Sequence, residues 1–175
     1  MRKFLSIIIL LFMGSQMKAQ EWETPVIDGY GKIKYFRDVA VQPDKALDYN
    51  LIFDIKTDKE RDGVNEGLWK IARTLNMLGV SGIASEKIKI VAAVHGGATF
   101  FALNEQKHKE KYGKGNPNLE LLKLLRSQGV ELYVCSQATS AHDIEDKDLN
   151  NYVQPALSAL SVLANYQLKG YVFMP

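Results

Sequence analysis

A single cysteine, Cys135, is the residue of this sequence best suited to covalent chemistry. It follows the apolar run 130–134 and precedes the polar stretch 136–140, which predicts a position at the carboxyl end of a β-strand. In an open α/β sheet, ligands and reacting groups collect at this edge, because helices begin there and their backbone amides face the crevice. Since the thiolate is the nucleophilic form of cysteine, Cys135 is the candidate catalytic residue.

Three roles are open to this lone thiol. A chain with one cysteine cannot form an internal disulfide, so burial of apolar side chains must hold the fold together. The thiol can be a small buried hydrophobic group, it can pair with a second chain, or it can be kept reactive. A helix N-terminus next to the sulfur would favour the thiolate, whereas apolar surroundings would raise the pKa of the thiol.

Four further residues complete the candidate pocket: His95, Gly96, Ser136 and Gln137. The first two follow the apolar run 87–94, and the other two follow Cys135 directly. Histidine exchanges protons near neutral pH, and glycine lets the backbone turn and approach a ligand closely. We expect both strand ends to line one crevice. A turn without a binding role is the alternative for the glycine pair 96–97.

The residues give less support to other chemistries. His142 and Asp143 follow Cys135 in a predicted loop, where they can supply a base or face solvent, but nothing in the sequence orients the imidazole. The run 113–115, Gly-Lys-Gly, lacks the spacing and the hydroxyl residue of a phosphate-binding loop. The three histidines and the cysteine have no metal-ligand spacing, so neither a metal site nor a cofactor is expected.

The first 19 residues have the pattern of an export signal. Arg2 and Lys3 precede the apolar segment 4–13, and small or polar residues follow up to Ala19. The apolar segment is too short to span a bilayer, which needs about 20 residues. We expect cleavage after Ala19, delivery to the periplasm or secretion, and a mature protein without stable membrane insertion.

The charge of the mature protein argues against nucleic acid as a partner. The whole chain has 22 basic and 20 acidic residues, and removing the signal takes away three basic residues and no acidic one. The mature chain is therefore close to neutral, without clustered arginines or a basic helix face. Its length suits one domain with a sizeable core.

Strands and helices alternate along the mature chain. Prolines and glycines without a sustained period predict an irregular N-terminal arm over residues 20–48, with room for a short strand at 33–36. Core strands are predicted at four apolar runs: 49–55, 87–94, 130–135 and 171–174. Helices are predicted at 64–78, at 117–128 behind an Asn116-Pro117 start, and at 149–168 with Pro155 in the first turn, and a further helix can begin at 98–103.

This alternation predicts one α/β domain over residues 49–175. The connections are long enough to cross over, so the sheet should be mainly parallel, with about five strands and helices on both faces. The predicted architecture has three layers, α/β/α.

The order and spacing of several short motifs resemble the DsrE/DsrF-like family. The motifs are His95-Gly96, Asn116-Pro117, the run 129–137 around the cysteine, Ser158-Ala159-Leu160 and Gly170-Tyr171. The resemblance covers residues 49–174 and is strongest to the exported branch of the family. It implies an α/β/α domain that assembles into trimers or hexamers. In the cytoplasmic sulfur-relay members a strand-end cysteine carries a persulfide between proteins, and Cys135 matches its position in the order of elements.

Two functions stay open. An exported protein is separated from the cytoplasmic desulfurase and tRNA-thiolation partners, so the relay role does not follow from the fold. In the first hypothesis the protein is a thiol or persulfide sulfur carrier, at most sulfurtransferase-like, which uses Cys135 and exchanges sulfur with a thiol or persulfide partner protein. In the second it is a non-catalytic oligomeric module that binds a small ligand and has an inert cysteine.

Overall fold

The computed structural model describes residues 21–175, which fold around a parallel sheet. The strands are β1 (Tyr49–Ile55), β2 (Glu60–Arg61), β3 (Val64–Asn65), β4 (Ile88–Val94), β5 (Glu131–Cys135), β6 (Gln154–Ala156) and β7 (Val172–Met174). Five of them form the main sheet in the order β6-β5-β4-β1-β7, and every pairing in it is parallel. The remaining two, β2 and β3, form a small antiparallel pair.

Helices cover both faces of the main sheet. They are α1 (Glu66–Val80), α2 (Glu105–Tyr112), α3 (Leu119–Ser127), α4 (Ser136–Ala141) and α5 (Ala159–Leu168), with short 3-10 segments at 85–87, 96–102 and 146–148. α1 and α3 bury their leucines on one face, while α5 packs on the other. The predicted α/β class, with three layers and a five-stranded parallel sheet, is confirmed.

Side-chain alternation divides the central strands between two cores. On β4, Ile90, Ala92 and Val94 belong to the large core under α1 and α3, whereas Val91 and Ala93 face α5. Successive side chains of a strand point to opposite faces, so a strand buried on both sides must be apolar at every position. This requirement explains the continuous apolar runs in the sequence.

The N-terminal arm is attached to α1 by the side chain of Asn76, which is completely buried. Its Oδ1 accepts hydrogen bonds from the amides of Val26 and Ile27, both at 2.8 Å. Its Nδ2 donates to the carbonyls of Tyr30 and Gly31, at 2.8 and 3.1 Å. One amide side chain thus satisfies four backbone groups of a segment that has no helix or extended strand of its own.

The arm also approaches the backbone of α1 very closely at Gly31. A Cβ at this position would lie 2.3 Å from the Arg73 amide nitrogen, and φ is +63°, so the contact requires glycine. Nearby, Ile27 and Ile33 are 1% and 5% exposed and belong to the buried hydrophobic set. The predicted short strand at 33–36 does not form, because Ile33 makes only a single antiparallel bridge with Glu23.

The helix predicted over 149–168 is wrong in its first half. Residues Gln154–Ala156 form β6 at the edge of the sheet, and the helix begins only at Ala159, after the N-cap Ser158. Pro155 has no amide hydrogen, so it interrupts a helix but is tolerated on an edge strand. The predicted fifth strand is therefore found where a helix was expected.

The predicted start of α3 at Asn116-Pro117 lies two residues too early. The helix begins at Leu119 with Asn118 at the N-cap. The side chain of Asn116 instead accepts from the Asn118 amide at 3.0 Å and donates to the Phe101 carbonyl at 2.9 Å. This buried asparagine stabilises a connection between elements rather than a helix start.

The other predicted helices differ from the structure at their ends. Residues 64–65 form β3 and not the first turn of α1, whose N-cap is Asn65. The segment expected to begin a helix at 98–103 is a 3-10 helix over 96–102. None of the helices formed by residues 21–175 combines the length and apolar character that a bilayer span requires.

Replacing Asn76 by alanine is expected to lower the free energy of unfolding by about 3 kcal/mol, because buried amides and carbonyls of the arm lose their partners. Asn165→Ala, an exposed asparagine within α5, is the matched control and should change stability little. Urea unfolding of both variants gives the comparison. Equal stabilities would show that the arm is not held through Asn76.

Candidate functional site

The pairing register brings three polar or reactive side chains to one edge of the sheet. Ile55 of β1 pairs with Val94 of β4, and Val94 pairs with Val134 of β5. His95 and Cys135, which follow Val94 and Val134, are therefore neighbours. The amide of His95 donates to the Ile55 carbonyl at 3.0 Å, which extends the ladder by one residue. The two predicted strand ends therefore do line one edge.

Asp54, His95 and Cys135 also share a face of the sheet. Two residues before each of them, along an extended backbone, lies a side chain that faces α5 or packs at the border of that core. These side chains are Ile52 before Asp54, Ala93 before His95 and Tyr133 before Cys135. Since side chains alternate with a period of two, all three lie on the α5 side.

His95 is fixed by a carboxylate from the adjacent strand. Its Nε2 donates to Oδ1 of Asp54 at 2.7 Å, because an ionised carboxylate only accepts hydrogen bonds. The side chain of His95 is 31% exposed and that of Asp54 is 17% exposed. The bond orients the ring and leaves Nδ1 available for a ligand or a proton.

Cys135 lies at the boundary between β5 and α4 and is only 6% exposed. Its Sγ lies 4.0 Å from Oγ of Ser158. Within Ser136–Ala141, no amide makes a short cap hydrogen bond to the sulfur. The amides that face the sulfur come from Gln137 and Ala138 in α4 and from Ala159 in α5.

Two opposing effects set the acidity of this thiol. Burial raises the pKa of Cys135, but the backbone amides of Ala159, Ala138 and Gln137 and the hydroxyl of Ser158 stabilise the thiolate. The stabilisation by these donors is the larger effect, so the pKa lies below the ordinary value for cysteine. The thiolate of Cys135, which is the nucleophilic form, is thus stabilised by its surroundings despite the burial of the residue.

Two helix starts supply these donors. α4 begins directly after Cys135, and α5 begins at Ala159 behind its N-cap Ser158, whose Oγ accepts from the Leu160 amide at 3.2 Å. Gln137 donates from Nε2 to the Leu157 carbonyl at 3.2 Å, which links the first turn of α4 to the segment preceding α5. Gln137 therefore holds the two helix starts together beside the sulfur.

Gly96 is required by the backbone at the end of β4. Its φ is +55°, and a Cβ there would lie 2.7 Å from the Lys56 carbonyl oxygen. The glycine thus allows the chain to turn after His95 against the segment that follows β1. This close contact supports the alternative that Gly96 forms a turn and has no binding role. Ser136, the first residue of α4, is half-buried next to Cys135.

His142 and Asp143 are not brought to the cysteine. His142 is the C-cap of α4, so the helix separates it from Cys135 by about 10 Å at 1.5 Å per residue. Its ring instead packs on Phe100, with centroids 4.8 Å apart. Within residues 21–175, no group of three or more His, Cys, Asp or Glu side chains is arranged to hold a metal ion.

Sequence reasoning missed Asp54 and Ser158 as members of this site. The apolar pattern places Asp54 within a strand and assigns it no role, although an acid on a strand buried from both sides needs a partner. Ser158 enters the sequence analysis only as part of a family motif, but a serine before an apolar helical run is a typical helix N-cap, and Ser158 caps α5.

A separate cavity lies beside the same strand ends. Its volume is about 170 Å³, and it is bordered by Asp58, Gly97, Phe100, His108 and Tyr112 among others. Burial and the negative charge of Asp58 raise the pKa of Tyr112. Cys135 and His95 do not line this cavity. The edge of the sheet therefore contains two distinct places, the enclosed thiol of Cys135 and a small polar pocket.

Replacing Ser158 by alanine is expected to raise the pKa of Cys135, because the thiolate loses a hydroxyl donor. Alkylation of the native protein, measured against pH, should have a lower midpoint than that of the unfolded chain in the wild type and a higher midpoint in the variant than in the wild type. Ser140→Ala, which removes an exposed hydroxyl elsewhere on α4, is the control.

The variant also loses a helix cap worth about 1 kcal/mol, so unfolding is measured in parallel. A wild-type midpoint above the ordinary value, or labelling only after denaturation, would contradict the expected thiolate stabilisation.

Comparison with known proteins identifies the family of this chain. The sequence profile of the DsrE/DsrF-like family matches residues 51–175, and no curated protein matches the chain. Among solved structures, the protein of unknown function MTH1491 from Methanobacterium thermoautotrophicum is 18% identical with a TM-score of 0.47, over 73% of this chain and 98% of that one. The YchN protein from E. coli is 19% identical with a TM-score of 0.45, over 71% of this chain and 96% of that one. Since the family profile spans most of the sequence, the chain belongs to the DsrE/DsrF-like family.

Proposed function

We propose that this protein carries sulfane sulfur as a persulfide on Cys135, in the periplasm or outside the cell. The observation that carries the proposal is the set of amide and hydroxyl donors from α4 and α5, which lower the pKa of a thiol that is otherwise buried. A core cysteine without a chemical role has no need of such donors, because a neutral thiol is satisfied by apolar contact. Stabilised thiolates are typical of reactive cysteines.

The transfer requires no external oxidant. The Cys135 thiolate attacks the outer sulfur of a persulfide on a donor protein or small thiol, a new S–S bond forms, and the donor leaves as a thiolate. A second thiolate then attacks the outer sulfur of the Cys135 persulfide, and Cys135 leaves as the thiolate. The donors around Sγ stabilise the negative charge both before attack and on departure.

His95 and Asp54 are proposed to exchange the proton of the incoming or departing thiol. His95 occupies the position next to Cys135 on the neighbouring strand, and Asp54 holds its ring at 2.7 Å. An imidazole that is oriented by a carboxylate is suited to accept a proton and return it. Ser136 and Gln137 shape the helix start beside the sulfur.

The second candidate function is a ligand-binding module with an inert cysteine. It is favoured by the 6% exposure of Cys135 and by the 170 Å³ pocket that does not include the thiol. In this alternative the polar pocket beside Asp58 and His108 binds the small ligand, and Cys135 only fills the core under α5.

Self-association is part of both proposals. Five large apolar side chains are exposed on and around α5 and β7: Leu157, Leu160, Leu168, Val172 and Phe173. The exposed fractions of Leu160 and Leu168 are 77% and 87%. Monomeric proteins rarely expose apolar residues in such numbers on one small helix and the adjacent edge strand. We propose that another copy of the chain covers this surface in a trimer or hexamer.

The mature protein, isolated from outside the cytoplasm and checked by N-terminal sequencing, is expected to gain one sulfur atom when incubated with a glutathione persulfide donor. Intact-mass measurement detects the added sulfur, and treatment with a reductant should remove it. Cys135→Ser should gain none, whereas Ser140→Ala, an exposed position on α4 that keeps the thiol, should still be loaded.

If the folded protein takes up no sulfur while the unfolded chain does, the carrier proposal fails and the inert ligand-binding module is the better account. An N-terminus that begins at Met1 would overturn export without bearing on the thiol chemistry.

Replacing Leu160 by glutamate is expected to dissociate the assembly, since a charge would be buried at the contact. Light scattering should change from a trimer or larger species to a monomer, with Gln167→Glu on the same helix as the exposed polar control. A wild-type protein that is monomeric at tens of micromolar would contradict the proposed self-association.

A further inference from the structure

A second exposed apolar surface is concave and lies far along the chain from the cysteine site. The N-terminal arm, α1 and the end of β7 enclose a groove of about 640 Å³. Apolar side chains from all three elements line it, including Phe36, Val39, Val41, Met77 and Met174. This volume is within the range of about 300–1,000 Å³ that is typical of small-molecule sites.

The apolar lining of this groove is open to solvent. Val41 is 84% exposed, Phe36 is 54% exposed and Met77 is 42% exposed. Gln42 stabilises the wall of the groove, because its Nε2 donates to the carbonyls of Phe36 and Arg37 at 2.6 and 3.0 Å. The groove is thus a formed concavity with apolar side chains that a ligand would remove from water.

The charged side chains of the groove are all positive. Lys34, Lys70 and Arg73 line it, together with the last residue Pro175, and no aspartate or glutamate side chain does. Within residues 21–175, none of these three cations has a carboxylate within 4.0 Å. An apolar channel with unneutralised cations is complementary to a ligand that has an apolar body and a negative end.

A cluster of cations and tryptophans adjoins the groove through Arg73. Arg73 also borders a smaller cavity, of about 260 Å³, with Trp22, Trp69, Arg61 and Asp62, whose carboxylate accepts a hydrogen bond from Trp69 Nε1 at 3.1 Å. Its guanidinium lies 5.2 Å from the centre of the Trp69 ring, and that of Arg61 lies 3.9 Å from the same ring. Such stacking holds the guanidinium groups in place while their N–H donors stay available to an anion.

We infer that this groove binds an anionic amphiphile with a single acyl chain, such as a fatty carboxylate. The chain lies against Phe36, Val41 and Met77, and the carboxylate meets Arg73 and Lys34. A planar guanidinium is well suited to a carboxylate, because it can donate two parallel hydrogen bonds. A second copy of this chain fits less well, since a concave surface with unpaired cations needs a narrow, negatively charged occupant.

One wall of the site is built by a part of the chain that the family profile does not include. The arm residues that form one wall precede residue 51, where the family match begins. The groove and its ligand are therefore independent of the thiol chemistry proposed for Cys135.

Titration of the mature protein with laurate, below its micelle concentration, tests this site. Both tryptophans of the chain, Trp22 and Trp69, border the cation cluster, so their fluorescence reports binding directly. We expect saturable binding of one laurate per protomer. Dodecanol, which has the same chain without the charge, should bind about tenfold more weakly, because the loss of a charged contact is worth about 1.4 kcal/mol.

Three variants locate the ligand. Arg73→Gln and Lys34→Gln should each weaken laurate binding by about tenfold, while Met77→Glu should abolish it by placing a negative charge against the acyl chain. Lys123→Gln, an exposed cation on α3, is the control and should bind normally. Circular dichroism confirms that each variant is folded, and Met77 is exposed enough for its replacement to leave the core intact.

Three results would overturn the inference. The first is the absence of saturable binding, and the second is equal affinity for laurate and dodecanol. The third is binding only to vesicles of phosphatidylglycerol and phosphatidylcholine, which would make the groove part of a membrane-surface contact. If the wild type binds no laurate and Met77→Glu no longer self-associates, the groove is instead an interface between copies of the chain.

Discussion

The in-register parallel pairing of β1, β4 and β5 is the constraint on which the site depends. The pairing aligns the ends of these strands, and the alternation of side chains then puts Asp54, His95 and Cys135 on the same face. A shift of one residue in either pairing would turn one of these side chains to the opposite face. The apolar residues that precede them prevent this shift, because both faces of the central strands are buried. Packing of the core therefore fixes the geometry of Asp54, His95 and Cys135 at this edge.

The chemistry of Cys135 depends on which of two local effects is larger. Burial alone would keep the thiol neutral, and each pKa unit corresponds to about 1.4 kcal/mol between its two forms. A hydrogen bond to a charged group is worth about 1.5–3 kcal/mol, so a few amides and a hydroxyl can outweigh the cost of burial. At Cys135 the donors are the larger effect, and they lower the pKa of the thiol. The same enclosure would shield a persulfide from water and from unrelated thiols.

Much of the fold could be predicted because the central strands are long and apolar. The strand predicted at 49–55 has the bounds of β1, and those at 87–94 and 130–135 begin one residue before β4 and β5. The sequence predicts a helix where the edge strand β6 forms. A strand of three residues that is paired on one side leaves no periodic signal beside the strong helical pattern of α5. Cys135 and its neighbours could be placed at a strand end. Ser158 and Asp54 could not be assigned to the site, because their role depends on elements that are distant in sequence.

The two exposed apolar surfaces differ in shape and charge, and this difference argues for different occupants. The surface on α5 and β7 is built from a short helix and an edge strand, and it includes Leu157 and Leu160 on either side of the residues that contact the thiol. A partner that covers it must therefore border Cys135, so assembly and access to the sulfur would be coupled. The groove under the N-terminal arm is concave and lined by cations, and it shares no residue with the cysteine site. A ligand in the groove does not touch Cys135, so it can alter the reactivity of the sulfur only by shifting the elements between the two sites. The most direct physical connection is β1, whose Phe53 borders the groove and whose Asp54, the next residue, holds His95 on the opposite face.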